Sequence, residues 1–278
     1  MSGSSLATRI TRISGASSHA RDDLLAVEEP LEIRLGHENG GERVSSSISV
    51  TMRTPGNDEE LATGFLFTES IIRSKEDIAL VKPCASTDGD NHNVIRVELE
   101  SGVDVDLGRL QRHFYTTSSC GVCGKASLDA LRVVGASAIP PDGVSFSRAM
   151  LATLPASLRE AQKTFDETGG LHAAAAFDRD GKLLVLREDI GRHNAVDKVI
   201  GALLSGGLLP ASALGLMVSG RASFELMQKA LLAGMPLLAA ISAPSSLAVQ
   251  LAHEFNLSLV GFLRGDTFNI YAGEERIA

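Results

Sequence analysis

Cys120 and Cys123 are separated by two residues in Thr116-Thr117-Ser118-Ser119-Cys120-Gly121-Val122-Cys123-Gly124-Lys125. The reactive form of cysteine is the thiolate, and a helix N-terminus or a nearby cation favours it. A predicted helix opens at Lys125, and Arg112 and His113 come shortly before the pair. This combination suits sulfur relay. A nucleophilic thiolate takes the outer sulfur of a donor persulfide, and the glycines let bulky partners approach. The second thiol protects the persulfide or releases its sulfur by closing a disulfide. The spacing also fits thioredoxin-like redox chemistry, half of a zinc site, or an idle pair. A structural zinc wants a second Cys or His pair, whereas Cys84 stands alone after Pro83. No histidine is followed two residues later by glutamate, so the H-x-E of zinc deaminases is missing. No metal site is expected.

A second set of candidates lies in Arg187-Glu188-Asp189-Ile190-Gly191-Arg192-His193-Asn194-Ala195-Val196-Asp197-Lys198. It follows a predicted strand and opens a helix, where Arg192 and His193 could meet an anion. Taken alone, such charges read as a solvated, salt-bridged helix face. Two further strand-to-helix junctions carry small polar residues: Ser219-Gly220-Arg221-Ala222-Ser223 and Ser242-Ala243-Pro244-Ser245-Ser246. Each suits a phosphate cradle at the carboxyl end of a strand. Neither matches a P-loop or G-x-G-x-x-G, so ATP hydrolysis and NAD binding are not indicated. Phe262-Leu263-Arg264-Gly265-Asp266-Thr267 reads as an edge hairpin or a ligand loop. His172, after two glycines, reads as a core residue before a site residue.

The elements that must position these residues follow from periodicity. Residues 1–22 are rich in Ser, Thr and Gly and read as a flexible arm. Residues 23–146 form a β-rich part that ends with the Cys-x-x-Cys loop. In it, 24–35 and 45–53 look extended around the hairpin signal Asn39-Gly40-Gly41. Asn57 or Asp58 then caps a helix through Leu66, Val94–Leu99 alternates as a strand, and a short helix is expected near 107–114. Residues 147–278 form an α/β part. A helix from Ser147 to Thr168 carries Pro155 near its first turn and ends at Gly169-Gly170. Strands at 173–177, 183–187, 214–218, 236–241 and 257–263 then alternate with helices at 194–204, 222–233 and 247–255. Strands this apolar imply a mostly parallel or mixed sheet with helices on both faces, a three-layer α-β-α sandwich.

The bulk numbers bound the function. The chain has 278 residues, 44% of them hydrophobic, enough for a sizeable core. A net charge of −8 argues against general nucleic-acid binding. No stretch approaches the roughly 18–20 apolar residues of a membrane span, and the first residues lack a signal-peptide core. A cytoplasmic protein is expected.

The motifs together resemble the formate dehydrogenase accessory sulfurtransferases, the FdhD family. The resemblance rests on Glu188–Lys198, Cys120–Gly124, Ser219–Ser223, Ser242–Pro244 and Val260–Arg264, with Val27–Leu31 and Glu60–Leu66 upstream. It runs in order from about residue 24 to the end. Thr116–Ser119 depart from it, because many relatives carry an Arg and a Gly there. The resemblance implies a cytidine deaminase-like fold, a homodimer, and a sulfurtransferase. Such a protein takes sulfur from a cysteine desulfurase as a persulfide. It passes the sulfur to the bis-molybdopterin guanine dinucleotide form of the molybdenum cofactor, for a formate dehydrogenase. By position, Cys120 is the carrier, Cys123 its partner, and Phe262–Thr267 contact the cofactor. The alternative is a chaperone that holds the cofactor without covalent sulfur chemistry.

Overall fold

The structure is a computed structural model that describes residues 3–84, 93–105, 128, 129, 131, 132, 136–141 and 144–278. Cys120, Cys123 and the helix expected near 107–114 lie outside the described residues. Where an arm is expected over 1–22, the described residues from Ser5 onward are paired strands. β1 (Ser5–Ser14) and β2 (Ser17–Ala26) form an antiparallel hairpin. Gly15 turns the chain at φ +59°, a region open to glycine at little cost. Thr8, Ile10, Thr11 and Ile13 supply β-formers that the Ser/Gly composition had masked.

A four-stranded sheet follows in the order β4-β3-β6-β5, with β3 (Glu29–Asn39), β4 (Glu42–Arg53), β5 (Ile78–Pro83) and β6 (Val94–Leu99). The β3–β4 turn falls on Gly40-Gly41, both at positive φ, as the sequence predicts. One face of this sheet buries Leu31, Ile33, Leu35, Ile95, Val97 and Leu99 against α1 (Asp58–Thr68). Asn57 precedes that helix but makes no capping bond. Asp58 does not cap either. Its carboxylate receives two bonds of 3.0 Å from the buried Arg53 guanidinium, the forked geometry that suits this pair.

The second sheet has six strands in the order β12-β11-β10-β9-β7-β8. They are β7 (His172–Phe177), β8 (Leu183–Asp189), β9 (Gly215–Val218), β10 (Leu237–Ala240), β11 (Ser258–Arg264) and β12 (Thr267–Ala272). The sheet is mixed rather than mostly parallel: β9–β10 and β10–β11 are parallel, and the other three pairings are antiparallel. Its residues alternate between two cores, the period-2 consequence of the pleat. Ala174, Ala176, Leu216, Val218, Leu238 and Ala240 face α4 (Arg192–Ser205), α5 (Phe224–Leu232) and α6 (Ser246–Glu254). Ala173, Ala175, Phe177, Met217, Leu237 and Ala239 face α2 (Arg148–Ala161). Helices thus cover both faces, as three layers.

Two expectations about α2 need correction. Its chain breaks at Gln162, and a short α3 (Lys163–Thr168) continues to Gly169. Pro155 stands inside α2 rather than in its first turn. The N-terminal part is held to the second sheet by a crossing of α1 with α4. A Cβ at Gly64 would overlap the Asp197 carbonyl, and one at Gly201 would overlap the Glu60 carbonyl. Only glycine lets the two backbones meet so closely.

Candidate functional site

The strand directions decide where the candidates go. β8, β9, β10 and β11 all end on one edge of the six-stranded sheet, where the antiparallel β7 and β12 begin. That edge therefore gathers Arg192 and His193 after β8, Ser219 and Arg221 after β9, Ser242 after β10, and the Phe262–Thr267 turn. The loops are tied to one another. Ala222 N donates to the Ala243 carbonyl at 3.2 Å, and Ser245 N to the Ala222 carbonyl at 2.9 Å. Phe262 N donates to the Ser242 carbonyl at 3.1 Å. The Ser219 hydroxyl accepts from Ala173 N at 2.9 Å, so it braces β7 as well as lining the edge.

The edge is suited to an anion. The Ser245 hydroxyl caps α6 by accepting from Ala248 N. By contrast, α4 starts at Gly191 and α5 at Ser223 without a side-chain cap. Uncapped first-turn amides carry partial positive charge and need an acceptor. Arg192 Nε, His193 Nε2 and Ser223 Oγ are buried atoms without a hydrogen-bond partner. His193 Nε2 stands 3.9 Å from a Glu225 carboxylate oxygen. The His193 ring is the chief reason that Glu225 is drawn down to about 2. His172, half-buried, is pushed below its ordinary value by burial first, then by Arg192 and His193.

Phe262 marks the other side of this edge. Its φ is +52°, a strained conformation for a bulky side chain. The pairing of β11 with β12 shifts register between Gly261 and Arg264, which breaks the regular pleat there. The Phe262 ring remains 36% exposed, with the Arg264 guanidinium 5.8 Å from its centroid. Gly265, at φ +60°, and Asp266 make the turn that leads to Thr267. A flat, exposed ring beside a cation suits a flat aromatic ligand.

Beneath the edge lies a charged layer that the sequence had suggested was solvated. Instead Asn194, Asp197 and Lys198 are buried. Lys198 Nζ meets Asp189 Oδ2 at 2.7 Å, and Lys229 Nζ meets Asp197 Oδ1 at 2.8 Å. Thr68 donates its hydroxyl to Asp197 at 2.8 Å. Thr54 donates its amide to Asp189 at 3.2 Å, and its carbonyl accepts from Lys198 at 2.9 Å. Sequence reasoning missed Thr54, Thr68, Lys229 and Glu225. Only Glu225 had a local signal, as an acid in the first turn after Ser219–Ser223.

Several features stand apart from this site. A groove of about 790 Å³ between the start of α2 and β12 meets it only at Asp266. Among the described residues, no group of three or more His, Cys, Asp or Glu is placed to hold a metal ion. Among them, no helix is long and apolar enough to cross a membrane.

Comparison with known proteins gives consistent results. A model of the FdhD/NarQ family matches residues 26–278. The sulfur carrier protein FdhD of Mycolicibacterium paratuberculosis is 53% identical over 272 residues, covering 97% of each chain. That of Sulfurisphaera tokodaii is 42% identical over 269 residues, again covering 97% of each. A crystal structure from Desulfotalea psychrophila, of a protein designated a formate dehydrogenase accessory protein, superimposes with a TM-score of 0.75. It shares 25% identity and covers 99% of this chain and 100% of its own.

Proposed function

The chain belongs to the FdhD/NarQ family, and on that premise we propose that it carries sulfur to the molybdenum cofactor of a formate dehydrogenase. In this reading the Cys120 thiolate attacks the outer sulfur of a persulfide on a cysteine desulfurase. The donor S–S bond breaks, the donor cysteine leaves as a thiolate, and a persulfide forms on Cys120. No net electrons move. For delivery, the Cys123 thiolate attacks Cys120 Sγ and a disulfide forms. The outer sulfur leaves as sulfide, with the two cysteines supplying two electrons. A cellular dithiol then reduces the disulfide. The substrate that receives the sulfur is the bis-molybdopterin guanine dinucleotide form of the cofactor, and its nucleotide arm would lie along the sheet edge.

The observation that carries this reading is the convergence on one edge of two uncapped helix starts, Arg192, Arg221, Arg264 and the exposed ring of Phe262. Backbone amides and guanidinium groups suit phosphates, and the ring suits a purine. The names of the relatives support the sulfur-carrier role, and that of the neighbouring structure supports the dehydrogenase as partner. The same reading places the protein in the cytoplasm as a homodimer.

Intact-mass spectrometry after incubation with a cysteine desulfurase and cysteine tests the carrier. One sulfur should be added, and Cys120→Ala should abolish the addition. A chaperone without sulfur chemistry would instead still activate the dehydrogenase as Cys120→Ala. Guanosine diphosphate should bind more weakly as salt rises. Unchanged affinity in both Arg221→Ala and Arg264→Ala would place the ligand elsewhere.

A further inference from the structure

The buried layer has a geometry that energy alone does not require. Asp189 is fully buried, and each of its oxygens receives two donors. Oδ2 accepts from Lys198 Nζ at 2.7 Å and from Thr54 N at 3.2 Å. Oδ1 accepts from Gly191 N at 2.8 Å and from Asn194 Nδ2 at 3.0 Å. Only an ionised carboxylate offers acceptors to all four, because asparagine would turn an NH2 toward some of these donors.

The Thr54 end of this socket belongs to the N-terminal part of the chain. The Thr54 amide, carbonyl and hydroxyl are all engaged, the hydroxyl accepting from Ile190 N at 3.2 Å. Asn194 also donates to the Met52 carbonyl at 2.8 Å and accepts from Thr51 at 3.1 Å. Ile190 and Gly191 are therefore held from beneath through their amides. A Cβ at Gly191 would press on Asn194 Nδ2 at 3.0 Å, so the turn is closely packed as well as bonded. Arg192 and His193 come next in the chain. Replacing a buried ion pair by apolar residues is often neutral or stabilising, so stability is a weak reason for this one. What the pair supplies is direction.

We propose that Asp189 is a positioning residue, which with Thr54 fixes the Ile190–Gly191 turn so that Arg192 and His193 are aimed at the ligand edge. The Lys198 ammonium completes the socket and neutralises the carboxylate. The N-terminal sheet thereby contributes to ligand binding without touching the ligand. This assignment rests on the anion site proposed above.

The test is a double-mutant cycle read by guanosine diphosphate affinity, with a second readout that needs no nucleotide. Removing the guanidinium in Arg192→Ala should weaken binding about tenfold in the otherwise natural protein. Asp189→Asn should weaken it by a similar factor, and adding Arg192→Ala should then cost less than about twofold. A purely structural role would leave the effect of Arg192→Ala unchanged. In the free protein, the Glu225 carboxyl titration followed by carbon NMR should move in Asp189→Asn. It should rise from about 2 toward the ordinary carboxylate range as His193 loses its place. Thr54→Val, which removes only the acceptor for Ile190 N, gives the same two measurements if Asp189→Asn does not fold. Additive losses, or a Glu225 titration unchanged in the variants, overturn the assignment. If the unsubstituted protein binds no guanosine diphosphate, the anion-site reading fails, and the Glu225 titration alone decides the positioning role.

Discussion

Lys229→Met is the sharpest probe of the buried charged layer. Lys229 and Asp197 side chains are 8% and 3% exposed and meet at 2.8 Å, so solvent screens little of their interaction. Lys229 Nζ also donates to Asp197 Oδ2 at 3.0 Å and to the Thr68 hydroxyl at 2.8 Å. Removing the ammonium leaves the Asp197 carboxylate buried without its cation, while the hydrogen bond from the Thr68 hydroxyl remains. Breaking a buried pair in this way costs about 3–5 kcal/mol. At roughly 2–4 °C per kcal/mol for a chain of this size, the melting temperature should fall by roughly 6–20 °C. The double variant Asp197→Asn with Lys229→Met removes both charges and keeps an acceptor for Thr68. It should recover at least half of that loss. Calorimetry and urea unfolding of the three proteins decide the matter. A single variant within about 1 kcal/mol of the natural chain would refute the reasoning. So would a double variant no more stable than the single one.

Three further outcomes follow from the same structure. Glu225 titrates near 2 when folded against 4.5 ordinarily, so its contribution is present above about pH 4.5 and is lost as pH falls toward 2. Urea unfolding of Glu225→Gln should accordingly lose stability less steeply than the natural chain across that window. His172 is likewise shifted downward, so the stability present above its ordinary value of 6.5 is lost as pH falls through the lowered folded value. His172→Gln should flatten the stability curve below pH 6.5. Gly201→Ala forces a methyl group against the Glu60 backbone and should cost at least about 1–3 kcal/mol by the same assay.

Much of the second sheet was legible because its strands are short apolar runs, each set off by a turn or a helix. The β7–β8 and β9–α5–β10–α6–β11 order could be read almost to the residue. The hairpin at 5–26 was not, because composition and strand propensity pointed in opposite directions. Ser and Gly suggested a loop, whereas Thr8, Ile10, Thr11 and Ile13 favour a strand without forming a regular alternation, and pairing within the hairpin decided for the strand. The parallel pairing of β3 with β6 was also hidden. It joins residues far apart in sequence, and no local pattern announces such a partner. Of the site, the candidates after β8 to β11 could be placed on one edge once the sheet was assumed. Thr54 and Lys229 could not, since a threonine beside a proline and a lysine on a helix carry no sign of burial.

The Glu188–Lys198 segment shows why a dense run of polar residues misleads. Glu188 accepts the amides of Thr164 and Phe165 at 3.0 and 2.8 Å, which closes the start of α3. Just before it, Arg187 pairs with Glu60 of α1 at 2.6 Å. Asp189 and Lys198 form one buried pair, and Asp197 reaches Lys229 of α5. Asn194 ties the segment to β4. Each of these groups is spent on joining elements that the chain brings together from distant positions. Among these charged and titratable groups, Arg192 and His193 keep buried guanidinium or ring nitrogens that make no hydrogen bond in the protein, His193 Nε2 lying 3.9 Å from the Glu225 carboxylate. A motif dense in charge thus divides into a buried frame and two outward residues. The frame explains why the chain needs so many polar groups where a solvated helix face would need few specific ones. It also makes the two outward residues depend on contacts from both sheets, so a substitution in β4 or α1 can alter ligand binding from a distance.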